Sequence, residues 1–450
     1  MKKNIQSKVS LIIPIYNKID SIDLMLESVY NQCWNNIEVI LVNDGATDGT
    51  REHICEWESK YKSRGYEIII IDQENQGIPG AVKSGLLRMT GNYVCVIDCD
   101  DILDNEYVST MAYWLDNNPE DMWVACLWSQ FSLIDGERKI LYTIDESSIP
   151  SPPNMMEKYL SSLYTTMIWI YMVRVDYFYK CKVIEGYRTD IRATQEPGFI
   201  LPLILEGGKL KIINRSLYYY NKHEGQTTAY KSAESVINYL NEYKDLTIKI
   251  IEGLDAGNHN KNKWNVIAEL ANKRFILSSI KRHDDKSKYN EQVASETASL
   301  INKHFIPNPK ITVEHILEND YLFLSLSVSA CILGTDCTNY INEIISLCSG
   351  RVIVWGALGE RGKQYIPMLI NTKLEPTEQW DAEGDGINIL KPNPTCLESN
   401  DLVLVFPFND ADIMSTLEKT NCKILRFNKI IEYISSLKYP MYYDGSISFI

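Results

Sequence analysis

The chain has no lysine- or arginine-rich block, no Cys-x-x-Cys pair and no apolar run long enough to cross a bilayer. Each absence removes a class of function. Forty-five basic residues stand against 59 acidic ones, a formal net charge of -14 with nothing basic to offset it locally. Nucleic acid is therefore not an expected partner, because its affinity rests on neutralised phosphates. The longest candidate span, Tyr321 to Leu333, has 13 residues and three serines, short of the roughly 20 that a membrane helix needs. Met1-Lys2-Lys3-Asn4-Ile5-Gln6 carries charge but no following apolar region, so no signal peptide is expected. The 11 cysteines are scattered and odd in number, which points to reduced thiols and a cytoplasmic setting. There is also no internal repeat and no low-complexity tract.

What remains is an ordinary globular composition, 45% hydrophobic and 23% charged. At 450 residues the chain is too long for one core and implies two or three domains. Strands and helices alternate from the start. Val9 to Ile15 is a continuous apolar strand. A helix follows, with Ile22, Leu26, Val29 and Tyr30 on one face. Ile37 to Val42 is a second strand, ended by Asn43-Asp44-Gly45-Ala46-Thr47-Asp48-Gly49. Ile68 to Ile71 is a third, Gly80 to Met89 a helix, and Tyr93 to Ile97 a fourth strand. Such alternation predicts a mostly parallel sheet with helices on both faces.

Ligands of such sheets sit beyond the carboxyl ends of the strands. Those ends hold Tyr16-Asn17, Asn43-Asp44, Asp72 to Gly77, and Asp98-Cys99-Asp100-Asp101. The last group matters most. Three carboxylates at the end of a buried strand are costly unless a cation meets them. A divalent metal carrying a diphosphate fits that need. The plainer reading is that Asp98 to Asp101 caps the next helix, and for Asp48 a turn and cap is the preferred reading.

Taken in order, these elements resemble the inverting GT-A glycosyltransferases of family 2. Val9 to Asn17 is similar to the family's opening strand, and Ser28-Val29-Tyr30-Asn31-Gln32 to the end of its first helix. Glu38 to Val42 with the following aspartate-glycine turn, Asn75-Gln76-Gly77, and Ile97 to Asp101 complete the series. The match covers about half of the chain. The resemblance implies a GT-A fold and a metal-dependent, inverting transfer from a nucleotide-sugar, most simply a UDP-sugar. The acceptor would be a glycan or a lipid-linked glycoconjugate in cell-surface polysaccharide synthesis. If the acceptor is lipid-linked, contact with the inner face of the membrane is transient. The alternative is a non-catalytic sugar-nucleotide-binding or scaffold protein of the same pathway. A nucleotidyltransferase would open with a glycine- and basic-rich triphosphate loop, and the residues after Ile15 contain none.

The resemblance also assigns roles. Pro14, Tyr16 and Asp44 surround the nucleoside, where a carboxylate suits the N3 hydrogen of uracil. Gly77 shapes the donor loop. Lys83 stands near the base, although Ser84 replaces the asparagine usual after it. Asp98 approaches ribose or metal, Asp100 the metal, and Asp101 ligates or orients its neighbours. Manganese or magnesium suits these hard oxygens. The family's catalytic base lies in a Glu-Asp pair at a helix start; here Gln195-Glu196-Pro197 occupies that place. Glu196 is therefore the candidate base, with Asp190 in reserve. His223 is a further candidate for the metal or diphosphate. Trp169, Tyr171 and Arg174 are candidates for an acceptor groove, with core packing the simpler reading of the aromatics.

Three regions are expected: a GT-A domain over 1–230, a helical accessory region over 231–345, and a small Rossmann-like unit over 346–450. The last opens with Val352 to Trp355 and the glycine turn Gly356-Ala357-Leu358-Gly359-Glu360-Arg361-Gly362. Its first glycine interval is one residue longer than the dinucleotide fingerprint. Asp381 stands where a ribose ligand would be expected. An assembly role is favoured over nucleotide binding.

Overall fold

The computed structural model describes residues 6–134, 137–161, 166–187, 195–221, 233–253, 258–282, 289–304, 306–307, 310–317, 337–386, 388–407, 410–438 and 441–442. By its contacts the chain divides into two compact units, Met1–Ala268 and Glu269–Ile450, described separately below. The division falls within the helix Asn258–Arg282.

The first unit is built on a nine-stranded sheet in the order β3-β2-β1-β4-β8-β6-β9-β5, with β7 paired to β6. Strands β1 (Val9–Ile15), β2 (Ile37–Asn43), β3 (Glu67–Asp72) and β4 (Tyr93–Val96) are mutually parallel. Helices α1 (Ile22–Tyr30), α2 (Thr50–Arg64) and α3 (Gly77–Leu86) connect them. Every residue of β1, β2 and β4 is buried. That explains their unbroken apolar runs: a parallel strand covered on both faces has no wet side to alternate with. Each fully buried valine, leucine or isoleucine contributes roughly 1.5–3 kcal/mol.

Close seating of α3 depends on Gly85. A Cβ there would come within 2.4 Å of Ile12 Cγ2 and 3.2 Å of Val42 Cγ2. One buried carboxylate ties the strands together near their amino ends. Glu38 on β2 accepts from the Ser10 hydroxyl (2.6 Å), the Thr90 amide (2.9 Å) and the Thr90 hydroxyl (2.6 Å), with Lys8 Nζ at 3.3 Å. Burial alone would raise its pKa, but these donors and the Lys8 charge outweigh it and hold the group below its usual range.

Beyond β4 the sheet becomes mixed. β5 (Ile102–Leu103) pairs antiparallel with β9 (Lys209–Asn221), and α4 (Tyr107–Asn117) follows β5. The long β6 (Asp121–Ile134) forms a hairpin with β7 (Glu137–Thr143). It runs antiparallel to β8 (Tyr171–Arg174) and parallel to β9. The helix Glu196–Glu206 immediately precedes β9, and the helix Ala233–Gly253 comes after it in the chain.

In the second unit, strands Val352–Trp355, Glu378–Trp380, Leu402–Val405 and Lys423–Arg426 form a fully parallel sheet with Val352–Trp355 and Leu402–Val405 central. The helices Glu360–Tyr365, Ala411–Leu417 and Phe427–Lys438 accompany it. Arg351 anchors one edge through Asp401 (2.6 Å) and Glu378 (2.8 Å). This is the α/β alternation expected from the sequence. The strand Glu378–Trp380 and the helix Phe427–Lys438 are additions to it.

Candidate active site

The carboxyl ends of β1, β2, β3 and β4 point the same way because the strands are parallel, so their polar termini share one rim. Pro14 is buried inside β1 opposite Val42. Tyr16, just past the strand, is 46% exposed. Asn17 takes a left-handed backbone (φ 50°), and its side-chain oxygen accepts from the Thr47 amide at 2.8 Å.

Asp44 is 2% exposed, and its carboxylate is already engaged. One oxygen accepts from Gln73 Nε2 (2.7 Å) and the Gln76 amide (2.9 Å), the other from the Gly77 amide (2.9 Å). Asp44 thereby fixes the loop between β3 and α3, with Gly77 at φ 76° at its end. Asp48 behaves as the turn and cap expected of it, accepting from the amides of Thr50 (3.0 Å) and Ile19 (3.1 Å). Lys83, on α3, donates to the Tyr187 carbonyl at 3.2 Å.

The acid cluster at the end of β4 separates into distinct roles. Asp101 is fully buried. It accepts from the Tyr218 hydroxyl (2.7 Å) and the Asn221 amide (2.8 Å). It therefore anchors the end of β9, the orienting member of the two readings the sequence allowed. Burial and the charges of Asp98 and Asp100 push its pKa up, outweighing those donors. The Tyr218 hydroxyl also accepts from the Asp98 amide at 3.3 Å. Asp98 and Asp100 are half-buried at the rim. Asp100 Oδ2 lies 2.6 Å from Lys18 Nζ.

Asp98 is pushed up to about 8 by burial first, then by Asp100 and Glu196, with Lys18 opposing. Glu196 thus acts on the same space as the acid cluster although the two are about 100 residues apart. It sits at the start of the helix Glu196–Glu206 with Pro197 behind it, and one carboxylate oxygen accepts from the Gln195 amide at 3.1 Å. Glu196 also acts electrostatically on the buried tyrosines Tyr159, Tyr187 and Tyr243. Among the described residues, the Tyr187 hydroxyl and the Gln195 side-chain oxygen are buried with no hydrogen-bond partner.

No group of three metal-ligating side chains occurs among the described residues. His223 and Asp190 lie outside them. The donor set of Asp98 and Asp100 nonetheless suits a small hard cation. Magnesium and manganese are commonly held through one or two carboxylates, with waters and substrate phosphates completing the shell. The raised Asp98 is the mark of negative charge crowded without enough cation, and a dication answers that crowding.

Of the acceptor-groove candidates, Tyr171 packs on Trp123 (ring centroids 5.1 Å) in the core. Arg174 donates to the carbonyls of Asp121, Leu115 and Asn118, closing the end of α4. Both are structural. Trp169 is buried and stacks on Tyr218 (4.0 Å) and Tyr220 (5.9 Å), so its ring backs the strand that holds Asp101. Sequence reasoning did not single out Lys18, Tyr187 or Gln195. For Lys18 a signal existed: it is a lone cation directly after the strand-end pair Tyr16-Asn17.

Residues 10–175 match the family described as "Glycosyl transferase family 2". The chain carries a family 2 glycosyltransferase domain. With this domain the chain is similar to the glycosyltransferase GlyA of Streptococcus pneumoniae, 29% identical over 225 residues, 49% of this chain and 31% of GlyA. It is 27% identical to the uncharacterized glycosyltransferase EpsJ of Bacillus subtilis over 223 residues, 49% of this chain and 62% of EpsJ. It is also 23% identical over 295 residues to the poly(ribitol-phosphate) beta-N-acetylglucosaminyltransferase TarS of Staphylococcus aureus, 63% of this chain and 47% of TarS. The chain thus spans about a third to two thirds of the length of these relatives. Among solved structures, S. aureus TarS 1-349 in complex with UDP-GlcNAc aligns with a TM-score of 0.48 and 18% identity, covering 74% of this chain and 89% of that one. In the family 2 domain, the acid cluster and the Asp44-bound loop both lie within the matched residues. Glu196 and β9 lie beyond them.

Proposed function

We propose that the chain is a metal-dependent inverting glycosyltransferase that moves a sugar from a nucleotide-sugar, a UDP-sugar, to a glycan or glycoconjugate acceptor. The observation that carries this reading is the convergence of Asp98, Asp100 and Glu196 in one electrostatic neighbourhood at the rim of a family 2 domain. The donor's base and ribose lie along Tyr16 and the loop held by Asp44, with Lys83 on the α3 side. Asp98 and Asp100 hold the cation, manganese or magnesium, which would neutralise charge on the departing diphosphate. Glu196 accepts the proton of the acceptor hydroxyl as that oxygen attacks the anomeric carbon from the face opposite the leaving nucleoside diphosphate. The C–O bond to the diphosphate breaks as the new glycosidic bond forms, and the anomeric configuration inverts. The Tyr187 hydroxyl and the Gln195 oxygen are available to hydroxyl groups of the bound sugars.

A cytoplasmic location and an acceptor in surface polysaccharide synthesis belong to the same proposal. The described residues contain no helix long and apolar enough to cross a membrane. The chain's three-part reading, 1–230, 231–345 and 346–450, is likewise proposed, with the last part serving assembly. What favours assembly over dinucleotide binding is a glycine turn filled by its own chain. Asp381 accepts from the Leu358 amide at 3.0 Å. A Cβ on Gly356 would meet the Pro407 ring at 2.6 Å.

The test is turnover of UDP-sugars with manganese and NMR assignment of the product anomer. Glu196→Gln should lower kcat by about 10²–10⁴-fold while UDP binding in calorimetry stays within about twofold. Turnover indifferent to Glu196→Gln and Asp100→Ala would favour the scaffold alternative, as would UDP binding without turnover.

A further inference from the structure

Lys18 is the one described side chain that brings positive charge directly onto the acid pair at the end of β4. Its Nζ is 2.6 Å from Asp100 Oδ2, and its charge also acts on Asp98. The stem of the residue is held at both ends. Its amide donates to Thr50 Oγ1 at 2.9 Å. Its carbonyl accepts from the amides of Ser21 and Ile22, each at 3.0 Å, where α1 begins. Only the four-carbon side chain is left to move, and its tip is 18% exposed. A fixed stem with a swinging ammonium at a partly open rim is suited to exchange one anionic partner for another.

We propose that Lys18 is the resident counter-ion of the Asp98–Asp100 pair and passes to the donor's diphosphate when the site fills, so that metal ion and nucleotide bind as a couple. This rests on the reading that Asp98 and Asp100 hold a divalent cation. An ammonium on Asp100 and a dication on the same carboxylate repel each other, so the metal alone has to evict Lys18 into water. When a nucleoside diphosphate arrives with the metal, the evicted ammonium gains phosphate oxygens within reach of the same stem. Each ligand then improves the other's binding, and by linkage the improvement is equal in both directions. In this scheme Lys18 is a binding residue for the diphosphate and a competitor of the metal.

The test is manganese binding to the full chain, read by electron paramagnetic resonance with and without UDP, alongside calorimetry of UDP. In the unaltered protein, saturating UDP should tighten manganese at least tenfold. Lys18→Gln should bind manganese alone at least tenfold more tightly than the unaltered protein. It should bind UDP in the presence of manganese at least tenfold more weakly, so the coupling collapses. Lys18→Arg, which keeps the charge and its geometry near the carboxylate, should retain most of the coupling; it also serves if the glutamine variant fails to fold. Manganese affinity that is indifferent to UDP, or a Lys18→Gln protein with unchanged manganese and UDP affinities, would overturn the proposal and leave the metal site standing. Manganese binding to neither protein, with or without UDP, would overturn both this proposal and the metal-dependent reading.

Discussion

Tyr187 illustrates how a single residue can separate folding from function. Its hydroxyl is buried without a hydrogen-bond partner among the described residues, beside the charge of Glu196. An unsatisfied buried hydroxyl costs about 1–3 kcal/mol. Tyr187→Phe should therefore leave stability unchanged or raise it by about 1 kcal/mol, measured by urea unfolding, while kcat/KM for the sugar substrates falls. A stability loss above about 2 kcal/mol would mean the hydroxyl serves the fold instead. Asp44 shows the opposite case. The sequence marks it as a strand-end aspartate, but its hydrogen bonds to Gln73, Gln76 and Gly77 join residues some 30 positions apart. No local pattern announces such a bond. Lys18 escaped notice for the same reason, since its partner Asp100 is 82 positions away. The acid cluster itself was legible because a long apolar strand running into three carboxylates is expensive by composition alone.

Strands β1, β2, β3 and β4 were readable because each is a compact apolar run bounded by turn residues, as burial on both faces requires. β6, β7 and β8 were not. β8 has four residues, and β6 mixes serine and glutamine with aromatics because it changes neighbours along its length. Glu38 provides a test at this scale, since it bonds β2 to Ser10 of β1 and to Thr90 just before β4. Its pKa in the folded protein lies below the ordinary value of 4.5. A depressed carboxylate contributes stability that is fully present above the unfolded value and is lost as pH falls through the folded one. Thermal melting between pH 6 and pH 3 should therefore show an acid limb that Glu38→Gln makes shallower. At pH 7 the same substitution should cost about 2 kcal/mol, the weight of charged hydrogen bonds lost. An unchanged acid limb would assign the pH dependence to other carboxylates.

For the whole chain, the division into Met1–Ala268 and Glu269–Ile450 leads to a calorimetric expectation. Two unfolding transitions should be seen, and UDP with manganese should raise the midpoint of one of them only, by the equivalent of about 2.7 kcal/mol at 100 times Kd. Equal movement of both would mean that the units melt as a single block. The α/β alternation of each unit was legible from its periodicity, but the place where the chain divides was not, because it falls inside a helix with no glycine, proline or charge break to mark it. Long-range pairing also sets an order of events during synthesis. Asp101 finds its two donors only on Tyr218 and Asn221, 117 and 120 positions later. Until the ribosome has delivered those residues, a nascent chain carries a carboxylate at the centre of a half-built sheet with nothing to receive it. The segment 10–175 that defines the family is consequently not a self-sufficient folding unit in this protein; assembly has to wait for β9.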